Sequence, residues 1–260
     1  MRKWLPVFAA VICCALIAGC AAGFSVEEAA PADELEHLVR RMELAVNPGK
    51  NAIPDRFRIF FRTHIRGLGV TMNGNLVQEK EPFRLCNQAR MPGMPATVEL
   101  YDGKQGWTII EGMSLKELEG AELKQLQFLG KMNLAADLRQ YFDPLVLDRQ
   151  PVEINGKKCF RLVGIPAEFP EFGTVELLVD PETALIDRRR YSVTTIFGKI
   201  PVEVNYLEYR KYGNWILPAV SVTSTLQEEV ETTVEAVDFD PAVAPGIWEV
   251  KTWYAEEENQ

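Results

Sequence analysis

Carboxylates are plentiful in this chain of 260 residues, but the residue constellations that carry most enzyme chemistry are absent. Its two histidines are His37 and His64, and no Gly-x-Ser-x-Gly nucleophile turn accompanies them. The sequence also contains no Cys-x-x-Cys pair, no His-x-x-x-His pair, no calcium loop and no glycine-rich phosphate loop. We therefore predict a protein that is not an enzyme and that uses neither a metal nor a cofactor.

Cys20 is the residue with the most distinctive chemical context. It follows Leu16-Ile17-Ala18-Gly19, which resembles the bacterial lipobox, where the cysteine thiol receives a diacylglycerol before the leader is cleaved. Met1-Arg2-Lys3 gives a positive start, and residues 4–17 form an apolar run of secretory-signal length. We expect residues 1–19 to be a lipoprotein signal peptide and residues 20–32 the lipidated cysteine with a short tether. The alternatives are an ordinary signal peptide that contains a cysteine, and a cytosolic chain with an apolar start.

Lipidation would also fix the location of the protein. A cysteine that carries more than one acyl chain holds a protein stably on a membrane. Ala21 follows Cys20, in place of the aspartate typical of inner-membrane retention. We expect a lipid-anchored protein that faces the periplasm of a bacterium, on the outer membrane if the cell has two membranes.

The net charge of the chain narrows the classes of possible partner further. The chain has 28 Lys and Arg against 37 Asp and Glu, so its net charge is −9. An acidic chain without basic clusters binds nucleic acid poorly, because neutralisation of phosphates dominates that affinity.

Cys86 and Cys159 remain after processing and modification, and in an oxidising space they either form a disulfide or stay as two buried, unpaired thiols.

The first folded elements are a helix and a strand. Residues 33–46 place Leu35, Leu38, Val39 and Met42 at helical spacing. The next segment alternates as a strand does, with Phe57, Ile59, Phe61 and Ile65 on one face. The other face carries Arg56, Arg58, Arg62, His64 and Arg66, with Phe60 as an exception. It is either an anion-binding surface or, as we prefer, an outer face whose arginines pair with acids on neighbouring strands.

The rest of the domain reads as hairpins with a helical insertion. Turn signals at Asp102-Gly103-Lys104, Asn155-Gly156, Asp180 to Thr183 and Tyr212 to Asn214 join short alternating runs, without any βαβ alternation. Ser114-Leu115-Lys116-Glu117 fits a capping box, so we predict helices over residues 114–129 and 134–142. We expect one domain over residues 33–250, mainly β with some helix (α+β), and an acidic tail over residues 251–260.

This order of elements resembles the LolA/LolB-type outer-membrane lipoprotein-sorting proteins over about residues 33–250. The resemblance rests on these segments: Gly74-Asn75-Leu76, Glu81-Pro82-Phe83-Arg84, Leu100-Tyr101-Asp102-Gly103-Lys104-Gln105-Gly106-Trp107, Val179-Asp180-Pro181-Glu182-Thr183-Ala184-Leu185-Ile186, Tyr209-Arg210 and Trp215-Ile216-Leu217-Pro218. Carriers of this family that release cargo have an arginine directly before the edge proline. Here Glu81 stands in that place and Lys80 one step earlier, which favours an anchored acceptor or lipid-binding relative over a soluble shuttle.

The resemblance implies a curved antiparallel sheet that forms an incomplete β-barrel, with helices covering its concave face. It also implies an apolar pocket for acyl chains, which we assign to Phe57, Ile59, Phe61, Ile65, Leu118 and Leu126. The predicted function is that of a membrane-anchored periplasmic protein that binds lipid or acylated lipoprotein, in lipoprotein sorting or lipid transfer. The alternative is an anchored sensor or scaffold that binds an envelope protein partner without lipid.

Overall fold

A computed structural model describes residues 26, 28–132, 138–195, 198–226 and 228–254. Cys20 and the predicted leader lie outside these residues. The described part is built around a single antiparallel sheet with few helices. None of the described helices combines the length and the apolarity that crossing a membrane requires.

The strands and helices have the following bounds. The strands are β1 (Arg56–Ile65), β2 (Val70–Glu79), β3 (Arg84–Arg90), β4 (Thr97–Tyr101), β5 (Gly106–Ile110), β6 (Ser114–Leu118), β7 (Phe142–Ile154), β8 (Lys157–Pro166), β9 (Val175–Val179), β10 (Ile186–Thr195), β11 (Gly198–Tyr212), β12 (Trp215–Ser224) and β13 (Glu229–Phe239). The helices are α1 (Ala32–Val46), α2 (Gly120–Met132), α3 (Leu138–Tyr141) and α4 (Val250–Trp253), with 3₁₀ turns at Pro170–Phe172 and Pro245–Trp248.

The 13 strands form one open sheet in the order β6-β5-β4-β3-β2-β1-β13-β12-β11-β10-β9-β8-β7. Neighbours in the sheet are also neighbours in the chain, except where β1 pairs with β13. The turns carry the conformations that tight hairpins need: Asn155 and Gly156 have φ angles of 51° and 80°, as a type I′ turn between β7 and β8 requires. The prediction of a mainly β, incomplete barrel is confirmed.

The two faces of the sheet are covered by different parts of the chain. We call the face under α1 and α2 the inner face, and the opposite one the outer face. The helix α1 buries Leu35, Leu38, Val39 and Met42 against strands β7 to β11, as its helical spacing predicts. The helix α2 spans both halves of the inner face, because Leu126 packs on the β1–β4 side and Phe128 on the β7–β11 side.

The capping-box prediction at Ser114 is wrong. Residues 114–118 form the edge strand β6, which pairs with β5 from Ile110↔Ser114 to Gly106↔Leu118. The turn between them contains Gly112 at a φ of 66°, a left-handed conformation that glycine adopts without strain. The hairpin therefore prevails over the local helix signal, and α2 begins at Gly120.

The basic face of β1 is confirmed as an outer face paired with acids. Arg66 donates to Glu229 at 3.0 Å and to Glu231 at 2.9 Å, both on β13. Arg62 lies 3.6 Å from Glu235 on the same strand. Arg56 pairs with Glu79 on β2, so three of the four arginines on this face have a carboxylate partner, and Arg58 lies over the Phe60 ring instead.

Both ends of the described chain pack on the sheet. The Ala30 amide donates to the Leu147 carbonyl at 2.8 Å, so part of the predicted tether lies along the edge strand β7. At the other end, Trp248, Trp253 and Tyr254 cover an outer-face cluster of β2 to β5. The folded part thus extends beyond residue 250, into the first residues of the predicted tail.

Candidate functional site

Four of the six predicted lipid-binding residues meet on the inner face. Phe57, Ile59 and Phe61 project from β1 into one apolar cluster, and Leu126 of α2 packs on the same cluster. Phe57 is buried, whereas Ile59, Phe61 and Leu126 are half-buried. This part of the inner face thus keeps accessible apolar surface beneath a helix.

The other two predicted residues lie elsewhere. Leu118 belongs to strand β6 and not to a covering helix, and it is buried opposite Gly106. Ile65 is the last residue of β1 and is buried, but it is not part of the cluster around Phe61. The sequence alternation placed Ile65 on the correct face, whereas the assignment of Leu118 depended on the helix that the structure replaces with a strand.

Of the two alternatives for the cysteines, a disulfide and two buried, unpaired thiols, the structure has the unpaired thiols. Cys86 lies on β3 in the outer-face cluster and Cys159 on β8, and both are buried, free thiols. Burial raises the pKa of the Cys86 thiol to about 12. Burial, and then the negative charge of Asp187, also raises the pKa of the Cys159 thiol. Cys86 therefore acts as a small apolar side chain, whereas the Cys159 thiol donates weakly to the Asp187 carboxylate at 3.6 Å.

An open depression lies at a different place from the predicted pocket. It has a volume of about 440 Å³ and is lined by Asn73, Arg90 and the loop of residues 91–95. None of the six predicted residues lines it. The loop Met91-Pro92-Gly93-Met94-Pro95 forms the tip of the β3–β4 hairpin.

Neither histidine belongs to the predicted site. His37 is exposed on α1. His64 lies on the outer face of β1, where its Nδ1 is 3.1 Å from the Thr71 hydroxyl oxygen. Within the part of the chain that the structure describes, no group of three or more His, Cys, Asp or Glu residues is arranged to hold a metal ion.

A run of three arginines on β10 was missed by the sequence reasoning. Arg188 and Arg190 point to the outer face, where Glu203 accepts from them at 3.1 and 2.8 Å. Glu176 accepts from Arg190 at 3.0 Å. Since side chains alternate along a strand, Arg189 between them points to the inner face. Three adjacent basic residues in a predicted strand were the available signal.

Arg189 stands among apolar and aromatic residues. Its register partners are Val204 on β11 and Leu177 on β9, which are both buried. Its Cζ lies 5.2 Å from the ring centre of Tyr191 and 5.8 Å from that of Tyr206. Its Nε is buried and has no hydrogen-bond partner.

Two further tyrosines lie close to Arg189. Burial raises the pKa values of Tyr141 and Tyr209, and the positive charge of Arg189 opposes both shifts. Their hydroxyls are engaged, because Tyr141 donates to the Phe128 carbonyl at 3.0 Å and Tyr209 to the Ile186 carbonyl at 2.8 Å. The inner face therefore has a second distinctive site, a guanidinium group surrounded by four tyrosines.

Comparison with known proteins identifies the class of fold. The sequence matches no protein-family model and no curated protein. A DUF1329 family protein from Desulfovibrio piger matches with a TM-score of 0.58 and 11% identity, over 86% of this chain and 99% of that chain. A domain named for outer-membrane lipoprotein sorting, from Vibrio parahaemolyticus, matches with a TM-score of 0.55 and 9% identity, over 84% and 97% of the two chains.

A third solved structure agrees with these two. A LolA superfamily protein from Nitrosomonas europaea matches with a TM-score of 0.54 and 12% identity, over 82% of this chain and 96% of that chain. At such identities the likeness shows the fold alone. The chain has a LolA-like fold, as the pattern of hairpins predicted.

Proposed function

We propose that this chain is an anchored envelope protein that binds lipid, or the acylated end of a lipoprotein, on its inner face. It would take part in lipoprotein sorting or in lipid transfer. One observation carries the proposal: a LolA-like fold keeps Ile59, Phe61 and Leu126 half-buried in one cluster between the sheet and α2. Full burial of an exposed apolar side chain contributes about 1.5–3 kcal/mol, and an acyl chain would add the share that corresponds to the surface these half-buried side chains still expose.

The anchor is the second part of the proposal. The lipobox cysteine Cys20 would hold the domain at the periplasmic side of a membrane, on the outer membrane where there are two. The tether that follows reaches strand β7, where Glu28 accepts from Arg149 at 2.7 Å. A domain held this close to a bilayer would receive or deliver acyl chains over a short path.

The proposal is tested by ligand binding to the domain without residues 1–20. A fluorescent fatty acid or a fluorescent lipopeptide should bind saturably to the wild-type domain. Phe61→Ser should weaken binding by about tenfold, because it removes one apolar contact. Phe60→Ser is the matched control, since Phe60 is the next residue on the same strand but lies exposed on the outer face.

Mass spectrometry of extracted ligand completes the test. Lipid that co-purifies with the wild-type domain would support the proposal. Absence of saturable binding, together with an unfolded Phe61→Ser variant, would make this face ordinary core. A sensor or scaffold that binds an envelope protein would then be the better interpretation.

A further inference from the structure

The charge of Arg189 is not neutralised by the described residues. Its neighbours Arg188 and Arg190 bind Glu203 and Glu176 on the outer face, whereas no described carboxylate pairs with Arg189 on the inner face. A guanidinium group stays protonated in proteins, so it cannot avoid the cost of burial by losing its proton. Aromatic faces recover part of this cost. The remaining positive charge favours an anion.

We propose that Arg189 binds the anionic headgroup, a carboxylate or a phosphate, of an amphiphilic lipid whose chain lies along the inner face. The proposal rests on the proposed function and names the class of ligand. A guanidinium group donates two parallel hydrogen bonds to either anion, and such charge-assisted pairs are strong where water is excluded. The Tyr206 hydroxyl, which donates to none of the described residues, is a further donor at the same place.

The path across the inner face from Arg189 to Phe61 crosses strands β11, β12 and β13. Tyr206 is in register with Ser221, Ser221 with Thr232, and Thr232 with Thr63 on β1. Small polar side chains thus occupy this row of the inner face, from Ser221 through Thr232 to Thr63. The sheet order places β10 four strands from β1, which is about 19 Å at the usual spacing. That span suits an extended lipid with its headgroup at Arg189 and its chain end near Phe61.

The test compares anionic and neutral ligands with the same chain. Purified full-length protein is titrated with palmitate and with methyl palmitate, and inorganic phosphate is tested separately as a headgroup without a chain. Wild-type protein should bind palmitate about tenfold or more tightly than its methyl ester. Arg189→Gln should lose this preference and keep binding of the ester. Arg188→Gln is the matched control, and it should keep the preference, because Arg188 lies on the outer face.

The outcomes separate the two proposals. An equal preference for palmitate in wild-type and Arg189→Gln protein would overturn the role of Arg189 and leave lipid binding intact. If neither palmitate nor methyl palmitate binds, the proposed function fails, and the anion site is judged by phosphate binding alone. A rise of the thermal midpoint with phosphate in wild-type protein, absent in Arg189→Gln, would support the site, and equal midpoints would overturn it.

A second variant guards against loss of the fold. Arg189→Lys keeps the charge but not the pair of parallel donors. It should retain part of the preference for palmitate, whereas retention of the full preference would show that geometry does not matter and would overturn the bidentate site. Removal of an uncompensated charge stabilises a protein interior, so Arg189→Gln should fold with an equal or higher midpoint.

Discussion

The ring of Phe61 lies directly against the backbone of Gly74. The two residues are opposite each other on β1 and β2. A Cβ atom on Gly74 would come within 2.6 Å of the Phe61 Cε2 and 2.7 Å of the Gln88 carbonyl oxygen. Glycine therefore allows the ring to lie against the backbone of β2 at this position.

Gly74→Ala should displace this ring. The added methyl group has a backbone oxygen on one side and the ring on the other, so we expect a loss of about 1–3 kcal/mol in the free energy of unfolding, with weaker lipid binding. Urea denaturation measures the loss. Gly67→Ala is the control, since a Cβ there meets nothing within 4 Å. Gly74→Ala should lower the free energy of unfolding less in a Phe61→Ala background than in wild type, because the ring that meets the methyl group is then absent. A Gly74→Ala variant of unchanged stability would contradict this packing.

In the proposed lipobox the Cys20 thiol would be the acceptor of the acyl group, so Cys20→Ser should abolish lipidation. We expect loss of membrane attachment or accumulation of the uncleaved precursor. Metabolic labelling with palmitate and fractionation of membranes measure both effects. Cys14→Ser removes a thiol from the leader and should leave labelling unchanged. Label that persists in the Cys20→Ser protein would refute the lipobox.

Cys86 and Cys159 should resist alkylation in the native protein. Both are fully covered, and burial raises the pKa of each thiol, so almost no thiolate is available at neutral pH. Mass spectrometry after treatment with iodoacetamide should find both unmodified in buffer and both modified in urea without reductant. Protection that persists in urea would mean that the two residues are bridged.

Glu79 should make the domain sensitive to acid. Burial raises the pKa of this carboxyl, but hydrogen bonds from Arg56 and Arg84 outweigh burial and hold the pKa below its usual 4.5. The carboxylate therefore contributes stability above pH 4.5, and this contribution is lost as the pH falls through the lower pKa of the folded state. Unfolding by urea between pH 6 and about 3 should show a smaller decline for Glu79→Gln than for wild type.

Glu122→Gln is the control for the acid experiment. Glu122 forms an exposed pair with Lys116, and exposed pairs contribute little to stability. Its decline with acid should match that of wild type. A Glu79→Gln variant with the full wild-type decline would place the acid sensitivity in other carboxylates.

Local signals predicted most of the sheet. Turn residues such as Asn155-Gly156 specify their hairpins by backbone conformation alone, and strand alternation correctly separated Phe61 from Arg62. Competition between local signals explains the error at Ser114. A turn at Gly112, which favours a hairpin, directly precedes a capping box, which favours a helix. The pairing with β5 that decides in favour of the hairpin is an interaction between strands.

The candidate site was less accessible to sequence reasoning. Phe61 and Leu126, which were assigned to an acyl-chain pocket, lie in one apolar cluster, because a period-2 strand and an apolar helix stripe both identify the covered face. A role for Arg189 could not be assigned from the sequence. What distinguishes it is that its neighbours Arg188 and Arg190 bind carboxylates, whereas Arg189 binds no described carboxylate. Tyr206 approaches it through the pairing of β10 with β11, which no single segment reveals.

The pairing of β1 with β13 has a consequence for how the chain folds. Thr63 and Thr232 face each other across it although they are 169 positions apart, whereas the other neighbouring strands are connected by hairpins or short links. Closing so long a loop is entropically costly and slow, so this step should follow the local hairpins. Until β13 has arrived, β1 and β12 expose unpaired edges that other chains can join. In the proposed export across a membrane, the emerging chain would therefore stay prone to aggregation until nearly all of it has crossed.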